Sequence, residues 1–256
     1  MRKINEQEYK RWLLVVLEDI DEYCKKNGIT YFLSSGTALG AVRHKGYIPW
    51  DDDIDIIMKR PEYEKFVSSF ETDKCKVLTF NNTKDYLYQY AKICYKRSKV
   101  VEWVVPEIKE LGINIDLFPL DGMPDELIKR RIHQDRLMLL GKFKTLLIRS
   151  RKLLPEAVRF ILPYRWALKR LEHIAKKYKP ENCDYIGNIV GTTVRHFEAP
   201  ISCFSSTVRM EFEGKQYPVP IKYRTYLKCL FGPDYMTPPP VEKRVTHHNF
   251  TAYIDD

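Results

Sequence analysis

Asp51, Asp52, Asp53 and Asp55 put four carboxylates into five consecutive positions, interleaved with and followed by Ile54, Ile56, Ile57 and Met58. On a strand, successive side chains point to opposite faces, so Asp53 and Asp55 share one face and Ile54 and Ile56 the other. Two like charges about 6–7 Å apart along a strand repel unless a cation stands between them. A divalent metal carrying a phosphorylated substrate supplies that cation. The plain alternative, a solvated acidic loop, gives no reason for an isoleucine pattern of period two. Upstream, an apolar run breaks at Ser35, Gly36 and Thr37 into a short helix. Small residues at a helix start leave backbone N–H groups free for phosphate. Asp116 alternates with Ile113, Ile115 and Leu117, so one more carboxylate stands on a strand whose other face is apolar. Asp53, Asp55 and Asp116 together are the donors that a two-metal phosphoryl-transfer site needs, holding two ions about 3.5–4 Å apart. Mg²⁺, or Mn²⁺ in its place, is the expected ion.

Other groups have a functional and a plain reading. Arg43, between the turn and the acidic run, has a guanidinium fork that matches phosphate oxygens; otherwise it belongs to a solvated loop. Trp50 could stack on a base or face a quaternary ammonium, or pack in a core. Lys92, in the alternating series Tyr88, Tyr90, Lys92, Cys94, could reach the same cleft as a phosphate ligand or sit on an edge strand for solubility. Lys243, Arg244 and His248 follow a proline stretch. They read either as a tail folded over the cleft, donating to phosphate, or as surface.

These residues need elements to hold them. Asn5 and Glu8 sign a helix start before Tyr9, Trp12, Leu13, Val16, Leu17 and Ile20, and Gly28 ends that helix. A strand at 31–34, a helix at 37–43 and a strand at 53–58 follow, and Pro61 opens the next helix. Strand-like runs come at 76–80, 86–95, 100–105 and 112–121. From 125 to 179 the pattern is helical, interrupted by Pro155 and Pro163. Ile132, Leu139, Leu140, Phe143, Leu146 and Leu147 fit its apolar face, and Arg130, Arg131, Arg136, Lys142 and Lys144 face elsewhere. A hairpin at 209–218 around Gly214 and a helix at 221–231 complete the pattern. The chain divides into a catalytic core at 1–125, a basic helical segment at 126–180 and a C-terminal part at 181–256 that completes the cleft.

The 256 residues carry a net charge of +9. Residues 129–179 hold sixteen Lys/Arg against three acids, so the rest of the chain is net acidic. Such a segment suits an anionic neighbour, a lipid surface or a solvated face; nucleic acid is the weakest reading, since a basic segment alone says little. The six cysteines form no Cys-x-x-Cys pair, which speaks against zinc and for free thiols in a cytoplasm. No run of eighteen apolar residues and no signal-peptide core is present.

The block from Ser35 through Arg43, His44, Ile48, Pro49 and Trp50 to Ile56 closely resembles the signature of the LicD family, which includes bacterial phosphocholine transferases and relatives of the fukutin-related proteins. The resemblance continues at Ile115-Asp116-Leu117-Phe118-Pro119-Leu120-Asp121, at Phe231 to Met236, and at Pro238-Pro239 with Glu242-Lys243-Arg244 and His247-His248. It implies an α/β nucleotidyltransferase-like fold, a mixed sheet flanked by helices. It also implies transfer of a phospho-alcohol from a CDP-alcohol, typically CDP-choline, to a hydroxyl of a cell-surface glycan, lipid-linked glycan or teichoic-acid precursor, with release of CMP. By motif, Asp53 and Asp55 become the metal pair and Asp116 the third carboxylate and general base. Ser35, Gly36, Thr37, Arg43, Lys92, Lys243, Arg244 and His248 become donor ligands. Two alternatives stay open: a nucleotidyltransferase moving NMP from NTP to a sugar or small molecule, and a basic anion-binding module with a degenerate site. The expected setting is cytoplasmic, with peripheral contact at the inner face of a membrane.

Overall fold

A computed structural model describes residues 1–103, 105–153, 164–188, 197–244 and 249–255. Helix α1 (Glu6–Asn27) begins with the expected capping box between Asn5 and Glu8, and ends at Gly28 in the left-handed region at φ 60. Its apolar stripe, Leu13, Val16, Leu17 and Ile20, is fully buried. Next come β2 (Phe32–Leu33), α2 (Ser35–His44), β3 (Asp55–Lys59) and α3 (Arg60–Ser69), with Pro61 in the first turn of α3. Strands β4 (Cys75–Leu78), β5 (Ala91–Tyr95), β6 (Ser98–Glu102) and β7 (Asn114–Met123) follow.

The main sheet runs β2-β3-β7-β5-β4. Strands β3 and β7 are parallel, and the other pairs on that path are antiparallel. The fold is thus α/β with a mixed sheet. Helix α1 packs on β5 and β7, and α3 on β3 and β7. A bidentate buried pair, Arg60 to Asp121 at 2.6 Å for each bond, ties the start of α3 to the far half of β7. β7 also pairs with β8 (Tyr185–Asn188), which pairs with β9 (Phe197–Pro200). The hairpin β10 (Thr207–Phe212) and β11 (Lys215–Pro220) turns at Glu213 and Gly214, both at positive φ. Helix α6 (Tyr223–Phe231) follows, and β12 (Phe250–Ile254) joins β1 (Arg2–Lys3) and β6 in a small second sheet.

Three expectations are corrected. The acidic strand begins at Asp55, so Asp51 to Ile54 are irregular; Asp53 precedes the strand that was to carry it. Residues 86–90 are likewise irregular, and β5 starts at Ala91. The third correction concerns α4 (Leu127–Leu153), which packs on α5 (Tyr164–Ala175). Its inner face uses Leu137, Leu147 and Ile148, together with Arg130, whose Nε lies 3.1 Å from Glu198. Lys144 also turns inward, donating to Gln89, and burial pushes its ammonium down to about 8. Ile132, Leu139, Phe143 and Leu146 are exposed instead. Pro155 and the residues up to Pro163 lie outside the described residues.

Candidate active site

The floor of the site is a row across three adjacent strands. Asp55 on β3 is in register with Asp116 on β7, and Asp116 is in register with Lys92 on β5. Neighbouring strands are about 4.8 Å apart, so the three side chains rise from one face as direct neighbours. Lys92 Nζ donates to Asp116 Oδ1 at 2.7 Å and to Asn114 Oδ1 at 3.0 Å. The rings of Tyr88 and Tyr90 stand 4.8 and 5.6 Å from the same ammonium. Burial lowers the Lys92 pKa, but the Asp116 charge, Glu102 and the Asp116 hydrogen bond outweigh it and hold the ammonium above its usual range.

The wall is built by Asp51 to Asp53 and the start of α2. One oxygen from each of Asp51, Asp52 and Asp53 can lie within 4.8 Å of the others. Asp52 is buried and Asp53 exposed. Burial, followed by the charges of Asp51, Asp116 and Asp52, pushes Asp53 up to about 8. Asp53 reaches solvent yet stands in a recess walled by other acids, and both facts act on it. Asp55 is raised as well, by burial and then by Asp53, Asp116 and Asp51.

Small residues at the helix start give this wall its closeness. A Cβ on Gly36 would stand 2.3 Å from Asp51 Oδ2, so a side chain there would displace the carboxylate. The Asp55 backbone N–H donates to Thr37 Oγ1 at 2.9 Å, fixing the strand that carries Asp55 to the helix beside it. Ser35 takes a left-handed φ of 48, unusual for a residue with a Cβ. Its N–H donates to the Tyr226 hydroxyl at 3.1 Å, and Ser34 Oγ lies 2.9 Å from the same oxygen.

A second group gathers round Trp50. The Arg244 guanidinium sits 4.8 Å from the Trp50 ring, and His44 meets that ring edge-on at 6.4 Å. Arg43 donates to the Tyr235 carbonyl at 2.8 Å; burial, then the nearby Arg244 charge, depresses its pKa. Lys243 is exposed on the short turn Val241–Lys243. His248 lies outside the described residues. The structure thus brings Ser35, Gly36, Thr37, Asp53, Asp55, Lys92 and Asp116 into one constellation, and Arg43 and Arg244 into a neighbouring one. Sequence reasoning missed Tyr226 and Asn114. Neither carries a local signal, because each acts on a residue supplied by another part of the fold.

The donor set fits a hard divalent cation. It consists of carboxylate oxygens with no thiol among them, the chemistry of Mg²⁺ or Mn²⁺ sites. Burial first, and then the charges of the neighbouring carboxylates, push Asp53 and Asp55 upward, and the Lys92 ammonium offsets only part of this at Asp55.

The family described as LicD/FKTN/FKRP, nucleotidyltransferase domain, matches residues 28–138. Those bounds enclose α2, the acidic run, β3, β5 and β7. The lipopolysaccharide cholinephosphotransferase LicD of Haemophilus influenzae is 31% identical over 271 residues, spanning 99% of this chain and 100% of that protein. Uncharacterized protein RP689 of Rickettsia prowazekii is 54% identical over 44 residues, 17% of this chain and 16% of that protein.

Proposed function

This chain belongs to the LicD family, and on that footing we propose that it transfers phosphocholine from CDP-choline, or the phospho-alcohol of a related CDP-alcohol, to a hydroxyl of a surface glycan such as lipopolysaccharide. The observation that carries this reading is the row Asp55–Asp116–Lys92 beside Asp51, Asp52 and Asp53 at the start of α2. The full-length likeness to a lipopolysaccharide cholinephosphotransferase supports phosphocholine as the group transferred and lipopolysaccharide as the acceptor.

Asp53, Asp55 and Asp116 would hold Mg²⁺ or Mn²⁺, with Asp51 and Asp52 alongside. When bound, the ion neutralises charge on the phosphoryl oxygens as the acceptor approaches. The chain's own residues do the rest. Lys92 donates to Oδ1 of Asp116 and fixes the orientation of that carboxylate. Asp116 takes the proton of the acceptor hydroxyl while that oxygen attacks the phosphorus bearing the alcohol. The bond from this phosphorus to the bridging oxygen breaks, and CMP leaves with that oxygen. Arg43 and Arg244 supply positive charge for the diphosphate, and Trp50 offers an aromatic face to the base or to a choline methyl group.

Incubation with a panel of CDP-alcohols and Mg²⁺, without acceptor, should release CMP slowly from one donor and name it. Pyrophosphate release from an NTP, with every CDP-alcohol left intact, would overturn the reading in favour of nucleotidyl transfer.

A further inference from the structure

Helix α4 turns an apolar stripe away from the protein. Ile128, Ile132, Leu139, Phe143 and Leu146 are 66%, 47%, 71%, 44% and 61% exposed. Their spacings of four, seven, four and three residues hold all five within about 60° of the helix circumference. The opposite face of the helix is anchored, since Leu137 packs with Leu171 and Ala175 of α5 while Arg130 and Gln134 hold Glu198. The stripe is therefore not a core face seen from outside; the core face lies on the other side.

Cations border it. Arg131, Lys142 and Arg149 flank one edge and Arg136 the other, all exposed. Helix α5 presents Trp166, Lys169 and Arg170 outward in the same way. Between the two helices lies a cavity of about 850 Å³, lined by Leu139, Leu140, Phe143 and Ile174 with Arg136 and Arg170 among its polar residues. Asp135 is the single acid of α4 and lies about 20° outside the stripe, on the Lys142 edge. Among the described residues no helix is long and apolar enough to cross a membrane. An apolar stripe with basic margins and an outward tryptophan is the chemistry of a helix lying in the headgroup plane of an anionic bilayer.

We propose that the outer face of α4 and α5 docks on an anionic lipid surface, with the five apolar side chains entering the headgroup–acyl boundary and Arg131, Arg136, Lys142, Arg149 and Arg170 meeting lipid phosphates. A glycan acceptor built on a lipid would then be presented to an enzyme already seated beside it.

Vesicle co-sedimentation of the full chain tests this. Binding is expected to phosphatidylcholine vesicles containing phosphatidylglycerol and not to phosphatidylcholine alone, weakening as salt rises from about 0.05 to 0.5 M. Leu139→Ser with Phe143→Ser should weaken binding about tenfold or more. Asp135→Asn should tighten it, a change of sign that mere loss of folding does not produce. Hydrolysis of a soluble donor, where present, should be unchanged in all variants; vesicle binding is read whether or not that activity exists. Three results would overturn the proposal: no binding at low salt, binding indifferent to Leu139→Ser with Phe143→Ser, or a self-associating parent that these substitutions convert to monomer. The last would make the stripe a contact between copies.

Discussion

Lys92 lies directly across from Asp116 in the β5–β7 register and donates to its Oδ1 at 2.7 Å, so a buried ammonium stands behind the carboxylate that faces Asp55. Removing it separates a structural duty from a chemical one. Lys92→Met should destabilise the fold by about 3–5 kcal/mol, the usual result of stripping one partner from a buried pair. The double variant Lys92→Met, Asp116→Asn should recover much of that loss in denaturant unfolding while staying inactive. Recovery of activity along with stability would take Asp116 out of the chemistry.

Asp53→Asn and Asp55→Asn should each lower turnover by at least about 100-fold, because each removes charge from the group that would hold the metal. Unfolding in the absence of metal should show both variants as stable as the parent or more so, since repulsion among the acids falls. Activity within about tenfold of the parent in both would dismiss the pair.

Burial of these carboxyls, together with the same repulsion, fixes a pH dependence. Asp53 and Asp55 have pKa values raised above 3.8, the first to about 8. A carboxyl raised on folding contributes stability that is full below its unfolded pKa and lost as pH rises through the folded value. Metal-free protein should therefore melt at a lower temperature at pH 8 than at pH 5, and millimolar Mg²⁺ should narrow the difference. A melting temperature that rises steadily from pH 5 to pH 8 without metal would contradict the acid cluster.

Gly36→Ala sets helix propensity against the site. Alanine favours a helix over glycine by about 1 kcal/mol, yet its Cβ would stand 2.3 Å from Asp51 Oδ2. Turnover should fall at least about tenfold while thermal stability changes by no more than about 1 kcal/mol in either direction. Unchanged turnover would show that Asp51 can move without consequence.

Much of this was legible in the chain because the signals are local. The Asn5–Glu8 capping box, Gly28 and Pro61 act over three or four residues and appear where they were expected. Asp55 and Asp116 were placed on strands by alternation alone, and their shared register follows from parallel pairing of β3 with β7. Asp53 escaped because the strand starts later than the apolar pattern suggests, beside the Thr37 hydroxyl that takes the Asp55 N–H. The apolar face expected of α4 holds only in part for a related reason: Leu147 is buried and Leu140 packs on the core, while Ile132, Leu139, Phe143 and Leu146 face out. Periodicity finds an apolar stripe but not the neighbour it meets, and Leu137, Leu147 and Ile148 took the inner side.

The contact of Tyr226 with Ser34 and Ser35 spans 192 and 191 positions of sequence. During synthesis every acid of the site has left the ribosome long before Tyr226 exists. The left-handed Ser35 turn then waits for a phenol made in the last quarter of the chain, as Arg43 waits for the Tyr235 carbonyl. A nascent chain can thus carry the full set of carboxylates without the partner that fixes the helix beside them.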